Sequence, residues 1–177
     1  NETAIQGKIA LDGTGKATIS TGLGFLDHML AQVAKHGQLD LHLEVQGDLH
    51  VDEHHTIEDA GLALGAAFLK ARQNKKGLER YGFHLPMDDS RASCLIDLGG
   101  RPFLSWDVTF TREKIGDVPT EMFEHFFRSF ADEARCNIHI QAWGKNEHHK
   151  VEAVYKAFAR ALKMALRQDP TDMSEPT

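Results

Sequence analysis

The pentapeptide His54-His55-Thr56-Ile57-Glu58 returns later in the chain as His148-His149-Lys150-Val151-Glu152, and no other feature constrains the fold as strongly. On a helix, residues four apart lie one above the other, so His54 with Glu58 and His148 with Glu152 each form a two-toothed claw for one metal ion. The second histidine of each pair lies roughly 100° further round the helix and serves a different ion. A lone histidine precedes each motif in a matching setting, Leu26-Asp27-His28-Met29 and Phe123-Glu124-His125-Phe126. These groups divide evenly between two ions. His54 and Glu58 share one with His125 and His149, and His148 and Glu152 share the other with His28 and His55. Three imidazoles and one carboxylate leave open positions on a six-coordinate ion, where a substrate binds.

The surrounding pattern repeats with the motif. Ile5, Ile9 and Leu11 before Gly13-Thr14-Gly15, and Ala17 and Ile19 after it, predict a hairpin over 3–20. Apolar residues at helical spacing predict a helix over 25–36, in which His28, Gln32 and His36 form one stripe. Strict alternation of Leu39, Leu41, Leu43 and Val45 predicts a strand over 38–47, and a helix follows from His54 to a stop at Lys76-Gly77. Strands are then expected over 81–85, 92–98 and 103–110, a helix capped by Thr120, a strand around Ile138, Ile140 and Ala142, and a last helix through Val151, Tyr155, Phe158, Leu162 and Ala165. In both final helices the claw takes the same angle to the apolar stripe. The expectation is an α+β protein of two duplicated halves, about 1–77 and 78–167, packed as one unit with helices on one face of each sheet. Residues 168–177, with Pro170 and Pro176, are expected to form a mobile tail.

At 177 residues the chain suits one domain with a substantial core, and 41% hydrophobic and 26% charged residues are ordinary for a globular protein. A net charge of −6 without a Lys/Arg run argues against nucleic acid or an anionic membrane as partner. No apolar run has transmembrane length, the start Asn1-Glu2-Thr3 does not follow a signal-peptide pattern, and Cys94 and Cys136 lack metal-site spacing. A reducing cytoplasm is the expected location.

One His-His pair on a helix is most often surface chemistry, but two copies in the same phase, with the lone His28 and His125, engage six of the eleven histidines. His42, His50, His84 and His139 lack such partners and read as strand or loop residues. His36 belongs either to the site or to a helix C-terminus, where histidine is favoured for its charge. A pair of cations suits a nitrogen or oxygen heterocycle that must lose a proton. Lys156 reads either as a grip on the far, negative end of a ligand or as an i,i+4 partner of Glu152. Arg80 and Arg101 are candidate phosphate grips, because guanidinium offers two donors, or else surface arginines. Asp88-Asp89 reads as turn chemistry. HExxH, GxSxG, Walker and Rossmann patterns are missing from the sequence.

The stretches FLDHML, DEHHTIED, LPMDD, LGGRP, EHFFRSF and GKNEHHKVEA, from Glu2 to about Arg167, resemble the imidazoleglycerol-phosphate dehydratase family. The resemblance implies a duplicated sandwich like the second domain of ribosomal protein S5. It implies a hydro-lyase of histidine biosynthesis that converts D-erythro-imidazole-glycerol phosphate to imidazole-acetol phosphate with two Mn2+ per active site, and a cytoplasmic homo-oligomer of two dozen chains with sites between subunits. Its ligand sets are those divided above. It adds Glu2 as acid/base group and places Gln32, Arg80, Arg101 and Lys156 on the substrate's phosphate. The implied chemistry stabilises an imidazolate, whose electrons expel a hydroxyl through a diazafulvene-like species. The chain departs from the family at its tail: a Ser-Ser-Lys-Gly segment that joins the phosphate site elsewhere is replaced by Asp169 to Thr177, without a lysine. Two rival readings remain, a metal store lacking a phosphate grip and a dinuclear hydrolase, the latter disfavoured because imidazoles outnumber carboxylates three to one.

Overall fold

The structure, a computed structural model, describes residues 2–73 and 76–171 and, within them, all side chains except those of 81–84. The first half runs β1 (Thr3–Ala10), β2 (Ala17–Ser20), α1 (Gly24–Gly37), β3 (Asp40–Gly47) and α2 (His54–Arg72). The second runs β4 (Tyr81–Met87), β5 (Ser90–Asp97), β6 (Phe103–Asp107), the short β7 (Lys114–Ile115) and β8 (Val118–Pro119), α3 (Glu121–Ala134), β9 (Asn137–Trp143) and α4 (Glu147–Ala165). The chain is α+β, and both main sheets are mixed.

The strictly alternating strand β3 becomes the centre of the first sheet, with β1 antiparallel on one side and β2 parallel on the other. The hairpin expected over 3–20 therefore does not form. The reason lies at Asp40, whose carboxylate takes the N–H groups of Thr14 at 2.7 Å and Lys16 at 2.9 Å while the N–H of Leu41 donates to Lys16 at 2.8 Å. These bonds carry the Gly13–Lys16 turn across the start of β3 and set β2 on its far edge. Gly13 is required there, because a Cβ would stand 2.2 Å from the Asp40 nitrogen. In the second sheet, ordered β4-β5-β9-β6, β9 stands to β5 and β6 as β3 does to β1 and β2. Strand β4 is an addition on the outer side of β5.

Leu41, Leu43 and Val45 point inward from β3, and Ile138, Ile140 and Ala142 from β9, beneath helices whose apolar faces are fully covered. Helices α1 and α2 lie on the first sheet and α3 and α4 on the second. The halves meet helix to helix, α1 on α4 and α2 on α3. At the second seam Gly61 and Gly65 let backbones touch: a Cβ on either would lie 2.7 Å from a main-chain oxygen, of Phe126 or Phe130. Phe68 of α2 meets Phe130 of α3 across that seam, and Phe126, Phe127 and Phe130 pack on Tyr155 and Phe158 of α4 with edge and tilted ring contacts.

Several element ends differ from expectation: β6 stops at Asp107 rather than at Phe110, β4 runs on to Met87 and β5 begins at Ser90. Helix α2 stops at Arg72 rather than at Lys76-Gly77, because Gln73 turns to φ 57°. Thr120 precedes α3 but does not cap it; its hydroxyl donates to the carbonyls of Arg112 at 3.0 Å and Glu113 at 3.3 Å. At the chain's other end, Leu78 bridges Gln168 and the Asp169 N–H donates to Gly77 at 2.7 Å. The rest of the expected tail, 172–177 with Ser174, lies outside the described residues.

Candidate metal centre

Both histidine motifs open a helix, and each helix start is fixed by side chains. Asn146 caps α4, its Oδ1 accepting the N–H groups of His148 at 3.0 Å and His149 at 3.3 Å. At α2 the Asp52 carboxylate accepts the His54 N–H at 2.9 Å. Glu147, only 5% exposed, accepts the Thr111 N–H at 2.5 Å, the Thr111 hydroxyl at 2.9 Å and the Arg112 N–H at 3.0 Å. Lys150, nearly as buried, donates to the Thr109 carbonyl at 2.8 Å and lies 4.0 Å from Glu147. Burial alone would raise the Glu147 carboxyl, but Thr111, Arg112 and Lys150 hold it below its ordinary value. The 109–112 segment is thereby clasped to the turn that carries His148 and His149.

Each claw closes as helical spacing requires. His54 Nε2 is 3.2 Å from Glu58 Oε2, and His148 Nε2 is 3.6 Å from Glu152 Oε2. Packing of α1 on α4 brings His28 to the second claw, so that ligand atoms of His28, His148 and Glu152 all lie within 4.8 Å of one another. Packing of α2 on α3 brings His125 to the first, its ring 5.1 Å from that of His54. Three of the four ligands assigned to the second ion thus meet within one chain; of those assigned to the first, His54 lies beside both Glu58 and His125, but among the described residues these three do not gather as closely. The fourth ligand of each set stands apart: among the described residues no contact joins His55 to His28, His148 or Glu152, or His149 to His54, Glu58 or His125.

His55 and His149 instead face aspartates. His55 Nδ1 is 3.0 Å from Asp48 Oδ2, and His149 Nδ1 is 2.7 Å from Asp89 Oδ1. These hydrogen bonds raise both imidazole pKa values above the ordinary 6.5. Asp89, which also accepts the N–H groups of Asn146 and Lys145, is held down to about 2 by the Asn146 N–H first and His149 next. Neither aspartate was legible as a site residue: one reads as the end of a strand and the other as turn chemistry.

Glu2 lies at the exposed start of β1, its Oε2 4.0 Å from His55 Nε2. A hydrogen bond from the Thr3 hydroxyl to Asp59 holds that start against α2. Gln32 and His36 follow His28 along α1, while Lys156 and Arg160 follow Glu152 along α4; Gly37 abuts Ala159 and Lys163 reaches Gln38, so the two stripes run side by side. Burial, then Lys156, Lys35 and Arg160, depress the His36 pKa. Lys156 Nζ bonds Glu152 Oε1 at 2.7 Å, the i,i+4 pair of the simpler reading, and touches Met87 Sδ at 3.3 Å. Burial raises the Glu152 carboxyl, but Lys156, His148 and His28 outweigh it and hold it low. Arg80 is buried, its guanidinium forked onto Asp97 through Nε to Oδ1 and Nη2 to Oδ2 at 2.8 Å. Arg101 stands exposed in the Gly99–Pro102 loop.

Fold and site together define an α+β protein that carries on its helices a cluster of two histidines and a carboxylate, His28, His148 and Glu152, able to hold a divalent metal ion. A family model described as imidazoleglycerol-phosphate dehydratase matches residues 21–162, and the chain belongs to that family. It is 59% identical over 172 residues to the histidine biosynthesis bifunctional protein HisB of Spirosoma linguale, covering 97% of this chain and 45% of that protein. The chain thus spans a little under half the length of its bifunctional relatives. It is 51% identical to the imidazoleglycerol-phosphate dehydratase of Gluconacetobacter diazotrophicus, covering 96% of this chain and 87% of the relative. Among solved structures, that of the Staphylococcus aureus imidazoleglycerol-phosphate dehydratase superposes with a TM-score of 0.86 at 40% identity, over 93% of this chain and 95% of that one. The Pyrococcus furiosus protein gives 0.82 at 30% identity, over 96% and 92%. Among the described residues no helix is long and apolar enough to cross a membrane.

Proposed function

We propose that the chain dehydrates D-erythro-imidazole-glycerol phosphate to imidazole-acetol phosphate in histidine biosynthesis, as a cytoplasmic homo-oligomer of 24 copies with the duplicated fold of the second domain of ribosomal protein S5. The observation that carries the reading is the convergence of His28, His148 and Glu152, beside the family match. Two imidazoles and a carboxylate with ligand atoms within 4.8 Å fit a divalent ion, and His54, Glu58 and His125 repeat the donor set. His55 and His149 complete the sets across subunit contacts, which accounts for their distance from their partners within the chain. Two Mn2+, when bound, supply the positive charge that favours ionisation of the substrate's imidazole.

The residues of the chain do the rest. Lys156, Gln32, Arg80 and Arg101 hold the phosphate, with Lys156 leaving Glu152 for the ligand. Glu2, beside His55, moves protons at the reacting carbon and the departing hydroxyl. The substrate's own ring electrons expel that hydroxyl, giving a diazafulvene-like species, and the enol that follows tautomerises to the ketone. The test is an ultraviolet assay for the ketone with metal analysis of the same sample. Chelator-stripped protein should be inactive and recover with Mn2+, and Glu2→Gln should keep substrate binding while losing turnover. Full activity of stripped protein, or of Glu2→Gln, refutes the reading.

A further inference from the structure

We propose that Asp48 and Asp89 are positioning residues that lock the imidazoles of His55 and His149 with Nε2 as the metal-ligating atom, an inference that rests on the metal-dependent reading above. In each tandem pair the first histidine faces the glutamate four residues on, and the second turns Nδ1 to an aspartate. A carboxylate only accepts, so Nδ1 carries the proton and the Nε2 lone pair is left for an ion. Such an outer partner fixes ring orientation and raises ligand basicity.

The two aspartates come from positions that the repeat does not relate. Asp48 follows β3 directly. Strand β9 holds the same place in the second half, but it is followed by Gly144-Lys145, with no carboxylate. The contact is made instead by Asp89, from the β4–β5 turn, and β4 has no partner strand in the first half. Copying one half into the other cannot produce this pairing. Two separate solutions to the same contact point to a requirement at Nδ1 itself.

The experiment uses the full chain, stripped of metal and titrated calorimetrically with Mn2+. Asp48→Ala is the cleaner variant, because among the described residues no other side chain hydrogen-bonds that carboxylate. Mn2+ affinity at one class of site should fall about 10- to 100-fold, with Asp48→Asn, which keeps an acceptor, in between. The metal-free unfolding temperature should stay unchanged. His55→Ala should weaken the same class, and adding Asp48→Ala to it should cost nothing further, the signature of action through that imidazole. Asp89→Ala, which also frees the N–H groups of Lys145 and Asn146, is read through the same cycle with His149→Ala. If His55→Ala weakens binding while Asp48→Ala does not, or if the two losses add, the positioning role is overturned. If His55→Ala leaves Mn2+ binding intact, the metal reading falls and the inference with it.

Discussion

Replacing Glu147 by Ala tests whether a buried charge, rather than helix propensity, secures the start of α4. Three accepted hydrogen bonds and a cation 4.0 Å away are lost at once. Thr111 and Arg112 are exposed, so their freed donors find water, and each lost bond costs near the low end for a charged acceptor, about 1.5 kcal/mol or less. Lys150, 9% exposed, keeps among the described residues only the Thr109 carbonyl and the face of Phe110, and its uncompensated charge adds to the loss. The total is about 3–5 kcal/mol, the range expected for breaking a buried pair. In a chain of this size that lowers the unfolding temperature by roughly 6–20 °C. Scanning calorimetry of metal-free protein measures it, and the double variant Glu147→Ala/Lys150→Met should recover the part owed to the stranded ammonium. A shift under about 2 °C for Glu147→Ala, or no recovery in the double variant, refutes the reasoning.

Gly61→Val forces a branched side chain against the Phe126 carbonyl, and overpacking of about 1–3 kcal/mol or more should appear as a lower denaturation midpoint; a midpoint equal to the parent's refutes backbone contact at that seam. Asp89 gives a pH signature in the metal-free protein. Its folded pKa, about 2, is depressed from 3.8, so its stabilisation is present above about pH 4 and lost as pH falls toward 2, a loss that Asp89→Asn should abolish in acid titrations followed by circular dichroism.

The residues that could be read from spacing were those whose geometry is local. The claws His54/Glu58 and His148/Glu152 follow from helix pitch alone, and β3 and β9 from alternation. The pairing of β2 with β3 was not legible, because it depends on Asp40 gathering N–H groups from a turn 24 and 26 residues away. Asp89 was hidden for the same reason: its contact with His149 spans 60 residues, and nothing in a turn aspartate announces a distant imidazole. Arg80 was legible as a guanidinium, but its fork onto Asp97, 17 residues away, was not.

The glycine seam between α2 and α3 makes the two ends of the molecule unequal. Beyond His54 and His125 main chain rests on main chain, Gly61 against Phe126 and Gly65 against Phe130. Beyond His28 and His148 the paired helices instead carry Gln32, His36, Lys156 and Arg160, none of them fully buried. The likeness between the two histidine and carboxylate sets therefore stops at the sets themselves: the helix faces beyond one are closed by backbone, and those beyond the other carry polar and cationic side chains.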